Sequence, residues 1–257
     1  MSISRVILTW LAGLTLGATV IAAIVVLAFA GQFRPGADSG DTQITSPLPG
    51  FAVAAPVTAA AMPAGPAVSA LADPSWVAAA AKKTGIPARA LSAYAGVAIS
   101  FRSRECGIGW NTLAGIGEVE SHHGNIFGGS IGADGAATPP IFGVPLAGGA
   151  LANIPDTDGG AIDGDASIDR AVGPMQLIPE AWRNWHVDGN ADGVQDPQNI
   201  DDATLAAAAY LCRAGDRRLG SEAGWRKAVL AYNGSQRYLR DVIRYSARYG
   251  TDVGAAN

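Results

Sequence analysis

The chain has 257 residues, enough for one domain with appendages, and 49% of them are hydrophobic, although alanine and one N-terminal run supply much of that share. Net charge is −4 and no block of lysine or arginine occurs, so neither a nucleic-acid partner nor a polybasic membrane-binding surface has support. The two cysteines, Cys106 and Cys212, stand far apart and form no C-x-x-C pair.

From Val6 to Ala30 the chain reads VILTWLAGLTLGATVIAAIVVLAFA, without a charge. A helix of roughly 20 apolar residues spans a bilayer. Arg5 before the run predicts a cytoplasmic N-terminus, and Arg34 beyond it is followed by Asp38 and Asp41. Ala28-Phe29-Ala30 also fits an A-x-A cleavage site, but the run exceeds the usual signal-peptide core of about 7–15 residues, which favours an uncleaved anchor. Under either reading, residues 1–30 put the rest of the chain outside the cytoplasm. It would sit at the outer face of the cell membrane, or be secreted after cleavage. Residues 31–72, rich in Pro, Ala, Gly and Ser and without a sustained period, read as a linker.

The compact domain is expected over 73–250, with a tail at 251–257. "DPSWVAAAAKKTGIP" has an Asp N-cap, a Pro at the first helical position and a Gly stop. "ARALSAYAGVAISFRSREC" and "WNTLAGIGEVESHHG" predict the second and third helices. Residues 125–170 are rich in Gly, Pro and Asp and read as a long irregular insertion, of a length that in compact domains is usually functional. Pro179 opens a short helix, "PEAWRNWH". "DDATLAAAAYLCRAG" and "EAGWRKAVLAYNGSQRYLRDVIRYSARYG" continue the helical pattern, and no convincing β-alternation appears. The fold class is mainly α.

The stretch "AGIGEVESHHG" (114–124) gathers two carboxylates, a serine and two of the three histidines. On a helix, Leu113, Ile116, Gly117 and Glu120 share one face, while Glu118 lies about 200° around. The two glutamates therefore cannot act as a pair. Burial of Glu120 on the apolar face would raise its pKa and make it a proton donor at neutral pH; the alternative is a solvated residue near a frayed helix end. Gly115 and Gly117 each cost up to about 1 kcal/mol against Ala, which predicts that another backbone or a ligand comes close. His122 and His123 point about 100° apart and cannot chelate one metal as an i, i+4 pair does. A zinc site and a Ser-His-Asp triad both lack their spacing.

"DRAVGPMQLIP" (169–179) and "AYNGS" (231–235), behind Glu120-Ser121, complete a pattern. A catalytic Glu followed by Ser or Thr, then G-x-x-Q, then A-Y-N resembles the lytic transglycosylases of the lysozyme-like superfamily, which cut peptidoglycan. "GEVESHHG" is most similar to the membrane-bound B type. The resemblance covers about residues 73–250 and is specific through the three motifs in order. It implies a lysozyme-like helical domain with Glu120 as the single acid and base. Gln176 and Asn233 match the family's substrate-orienting amides, and Tyr232 the tyrosine beside the Glu. Ser167 fits a serine that contacts the reacting sugar. The insertion of the 130s to 160s departs from the family pattern. A hydrolytic muramidase, recruiting Asp165 or Asp169 as a second carboxylate, is the near alternative. A non-catalytic glycan-binding or scaffold domain is the distant one. Peptidoglycan is the implied partner, and the chemistry requires no cofactor.

"DGNADGVQDPQNIDD" (188–202) begins as a calcium loop would, with Asp188, Asn190 and Asp192 at positions 1, 3 and 5, Gly193 at the sharp turn and the Val194 carbonyl at position 7. Position 12 is Asn199, so a standard loop fails. The family's membrane-bound B type carries a lengthened loop closed by a later carboxylate, which Asp202 would supply. An ion-free Asp/Asn/Gly turn cluster is the other reading. "PDTDGGAIDGD" (155–165) is acidic but matches no ligand pattern well. In an exported domain, Cys106 and Cys212, each beside an expected helix, are expected to form a disulfide.

Overall fold

A computed structural model describes residues 67–149 and 153–254. The apolar run Val6–Ala30 and all but the end of the expected linker lie outside the described residues. No helix among the described residues is long and apolar enough to cross a membrane.

Seven α-helices dominate the described residues, in agreement with a mainly α fold. The first helix, α1 (Pro74–Thr84), starts where expected. The Asp73 side chain accepts from the Trp76 N–H at 2.9 Å, and Gly85, with φ 76°, ends the helix by donating to Ala81 O. Next come α2 (Ala88–Ser100) and α3 (Trp110–Ser121), the centre of the body. Leu91, Tyr94 and Val97 of α2 and Trp110, Leu113 and Ile116 of α3 are fully buried, as for helices enclosed on all sides. The packed body begins ahead of Asp73: Val68 and Leu71, in a 3-10 turn, are buried against the core.

The insertion is not wholly irregular. Strand β1 (Ser130–Ile131) pairs antiparallel with β2 (Ala137–Thr138), and β3 (Phe142–Pro145) pairs antiparallel with β4 (Arg170–Val172). Strands of two to four residues are too short to show alternation, which is why the sequence pattern does not reveal them. The β3–β4 pair ties the middle of the insertion to its C-terminal end, and a bridge between Pro155 and Ile168 extends the closure. Residues 146–154 belong to a separate small unit, of which the described part is a turn closed by Ile154 N–H donating to Leu146 O.

After the short α4 (Pro179–Trp185) come α5 (Ile200–Ala214), α6 (Glu222–Tyr232) and α7 (Gln236–Gly254). The last two arise from one continuous helical pattern. The chain breaks where Asn233 takes an extended conformation (φ −147°) and its side chain accepts from the Ser235 N–H. On α7, Tyr238, Leu239, Val242, Ile243, Ser246 and Tyr249 are buried at helical spacing and pack along α3.

Cys106 and Cys212 are joined in a disulfide, with Cα atoms 5.7 Å apart, which fastens the α2–α3 loop to α5. Leu219 N–H donates to Cys106 O beside it. The bridge closes a loop of 106 residues, for which chain entropy gives about 4–5 kcal/mol, an upper figure. Replacing both cysteines with serine is expected to lower the melting temperature by about 5–15 °C. A scan of the double variant showing no shift would overturn this.

Candidate active site around Glu120

The site is built at the end of α3. The helix stops because His122, His123 and Gly124 all take left-handed backbone angles, with φ of 51°, 58° and 85°. The stop is secured by His122 N–H to Glu118 O and His123 N–H to Gly117 O, both at 3.0 Å. Ser121, fully buried, accepts from the Gly124 N–H at 2.8 Å and donates to Pro174 O at 2.6 Å. That second bond ties the end of α3 to the loop Gly173–Gln176.

The two glutamates are in opposite electrostatic states. Burial pushes the Glu120 carboxyl up from an ordinary 4.5 to about 8, against the opposing effect of a 2.6 Å hydrogen bond donated by the Tyr238 hydroxyl. Glu118 is drawn down to about 2, chiefly by its hydrogen bond to His123. Its Oε2 lies 3.0 Å from His123 Nε2 and accepts from the Tyr249 hydroxyl at 3.1 Å; its Oε1 lies 3.3 Å from His122 Nδ1. The expected separation of the two side chains holds, but the single-face argument behind it needs correction. From Trp110 to Gly117 the helix is buried all round, and Glu118 is itself half-buried. Their partners, more than their faces, distinguish the two acids.

The histidines do not form a metal site. His123 is buried between the hydroxyls of Tyr94, 3.2 Å from Nδ1, and Tyr249, 3.0 Å from Nε2. Gly115 has the expected cause, a close backbone, whereas Gly117 makes room for a side chain. A Cβ on Gly115 would lie 3.1 Å from Ser246 N and 3.2 Å from Val242 O, both backbone atoms of α7, and one on Gly117 would strike the Tyr94 hydroxyl.

Three of the four expected substrate residues border the same loop and helix end. Tyr232 donates its hydroxyl to Met175 O at 2.7 Å and stacks on Tyr238, with ring centroids 6.5 Å apart and planes 9° from parallel. Burial first, and then the charge on Glu120, holds the Tyr232 hydroxyl well above its usual pKa. Asn233 follows directly as the cap of α6. Gln176 has φ 48°, a strained angle for a residue with a side chain, and its Nε2 donates to Gly173 O at 2.9 Å. The loop that presents it is closed by paired hydrogen bonds between Val172 and Leu177. Ser167 stands apart. It is exposed and donates to Asp165 at 2.6 Å, and among the described contacts none joins it to Glu120.

No protein-family model, curated protein or solved structure matches this chain.

Sequence reasoning missed an aromatic row that continues from Glu120. Beyond the Tyr232–Tyr238 pair, Tyr210 meets Tyr232 edge-on at 5.7 Å, and Trp185 meets Tyr210 edge-on at 6.4 Å. Tyr238 sits at core spacing on α7, so its contribution to the site has no distinguishing sequence signal.

The acidic loops are pre-folded by their own side chains. Asp188 accepts from the N–H groups of Asp192 and Gly193, Asn190 from Asp192, and Asp192 from Val194. Asp202 is fully buried, and its oxygens accept from the N–H groups of Gly189, Asn190 and Asp196. Burial dominates its shift to about 6, with Asp188 adding to the rise. Among the described residues, the acids whose ligand atoms converge are a different set, Asp156, Asp158 and Asp169.

The Glu120 shift has a thermodynamic sign. A carboxyl at about 8 in the fold and 4.5 in the unfolded chain stabilises the fold relatively at low pH, and that contribution is lost as pH rises from 4.5 through 8. Glu120→Gln is therefore expected to leave the melting temperature unchanged at pH 4 and to raise it by several degrees at pH 8. Equal shifts at both pH values would mean that Glu120 is not a neutral buried acid.

Proposed function

We propose that the chain is an extracytoplasmic lytic transglycosylase that cleaves the β-1,4 bond between MurNAc and GlcNAc in peptidoglycan without water. The observation that carries the reading is Glu120: a half-buried carboxyl, pushed up to about 8 by desolvation and held in place by one hydroxyl donor. At neutral pH it carries the proton that a glycosidic oxygen needs on leaving. As that C1–O bond breaks, Glu120 becomes a carboxylate. It then takes the proton from the sugar's own C6 hydroxyl while O6 closes on C1, giving a 1,6-anhydro ring. The nucleophile comes from the substrate, so this chemistry stands outside the two-carboxylate scheme.

The loop acids favour this over hydrolysis. Asp169 is fully buried and accepts from Thr157 N–H and its hydroxyl; Asp165 is bound to Arg170 and Ser167. Both acids that a hydrolytic pair would recruit serve their own loop. Tyr232, Tyr210 and Trp185, each half-buried, offer ring surface to a glycan leading away from Glu120, with the buried Tyr238 behind them. In this reading Gln176 and Asn233 orient the reacting sugar, and the N-terminal run holds the enzyme at the outer membrane face.

Incubation with purified peptidoglycan and mass spectrometry of the products tests the reading. Anhydro-ended muropeptides are expected, and Glu120→Gln should reduce their formation by at least about 100-fold while glycan binding persists. Glu118→Gln should be mild. Reducing muramic ends would make the enzyme a hydrolase, and binding without any product would make it a glycan-binding module.

A structural calcium is proposed with Asp188, Asn190, Asp192, the Val194 carbonyl and Asp202. The loop conformation fits, with Ala191 and Gly193 left-handed, and a divalent charge would relieve the Asp188–Asp202 repulsion. Millimolar calcium is expected to raise the melting temperature, and Asp188→Ala to abolish the rise. If Asp156→Ala abolishes it instead, the ion belongs to the insertion.

A further inference from the structure

We propose that Gly143, on strand β3 of the insertion, is a positioning residue that fixes the amide of Gln176 through its own lack of a side chain. The inference rests on the transglycosylase reading and deepens it, because it assigns the insertion a part in aligning the reacting sugar.

Three observations meet at this point. A Cβ on Gly143 would lie 2.8 Å from Gln176 Oε1, closer than real Cβ contacts come, and 3.3 Å from Ala171 O. The opposite end of the same amide, Nε2, donates to Gly173 O at 2.9 Å. The backbone beneath is strained, with Gln176 at φ 48° in a four-residue loop pinned by Val172 and Leu177 on one side and by Ser121 through Pro174 on the other. The amide thus has one hydrogen bond and one bare wall. A methyl group on that wall pushes the oxygen away and pulls Nε2 off Gly173 O. The backbone at Gly143 does not need glycine for itself, since its φ lies outside the left-handed range. Phe142 and Pro145, on either side of Gly143, are registered to Val172 and Arg170 of β4, with the register irregular between them, so the ladder holds the wall at its two ends.

The test uses the full chain, purified, with three variants: Gly143→Ala, Gln176→Ala and the double substitution. Two readouts are taken. The first is the side-chain amide resonance pair of Gln176, identified by its loss in Gln176→Ala. The second is kcat and KM for release of anhydro-ended products. Gly143→Ala is expected to move the amide resonances and to lower kcat by about 10- to 100-fold, the penalty of an ångström-scale misplacement. In the Gln176→Ala background the Gly143→Ala change should have no further effect, because its target is gone. A general loss of folding would multiply in the double variant, and that result overturns the inference. Amide resonances that do not move also overturn it. If they move while the parent chain makes no anhydro product, the placement of Gln176 by Gly143 stands and the transglycosylase reading falls.

Discussion

The closeness of α7 to α3 is the constraint on which the site depends. Gly115 leaves no side chain where Ser246 N and Val242 O of α7 approach, so the two helices pack nearly backbone to backbone. The chains run antiparallel there, with Glu120 meeting Tyr238 at one end and Asn111 donating to Ser246 O at the other. At that separation a tyrosine hydroxyl of α7 reaches each glutamate of α3, Tyr238 to Glu120 and Tyr249 to Glu118. The same burial that brings the hydroxyls into range desolvates both acids and so opposes the ionisation of each. A wider gap would lose both effects together.

Within that shared environment, the difference between the two acids comes from one partner. Glu118 has His123, which supplies hydrogen bonding and charge, and the acid is drawn down. Glu120 has a neutral hydroxyl, which offsets only part of the desolvation, and the acid is raised. Two carboxyls separated by one residue are thus set several units apart, the arrangement by which a fold prepares a proton donor without a second titrating group beside it. His123 owes its place to the left-handed stop of α3, which turns it back between Tyr94 and Tyr249. The helix end therefore shapes the electrostatics as well as the length of α3.

The helices were legible because their boundary chemistry is local: Asp73, Pro74 and Gly85 delimit α1 by themselves. Glu120 was legible only in part, because helical spacing separates it from Glu118 but their partners set the two states, and Gly115 was legible because a helix tolerates glycine poorly without a reason. The break between α6 and α7 was legible only as a helix end at AYNGS, since the pattern is apolar at helical spacing on both sides of Asn233 and Ser235. Tyr238 was hidden for a related reason: at spacing four from Val242 it is indistinguishable from a core residue until Glu120 is placed opposite it. Ser167 is followed by β4 and bonded to Asp165, and among the described contacts none joins it to Glu120. Strands β3 and β4 pair residues roughly thirty apart, beyond the reach of any local period, and β1 and β2, of two residues each, are too short to show one.

Backbone strain gives an independent view of the same region. Of the eight described non-glycine residues with left-handed angles, His122, His123, Phe127 and Gln176 lie in or beside the two segments that Ser121 joins, and Glu105, Ala191, Asp216 and Arg217 lie elsewhere. Each such angle costs of order 1–3 kcal/mol and persists only where surrounding contacts over-determine it. Here the contacts are identifiable: Glu118, Tyr94 and Tyr249 for His123, and Gly173 together with the Val172–Leu177 pair for Gln176. A fold selected for stability alone would place glycine at these positions, as it does at Gly124 and Gly173. Side chains are retained at a conformational cost where the helix bearing Glu120 meets the loop bearing Gln176.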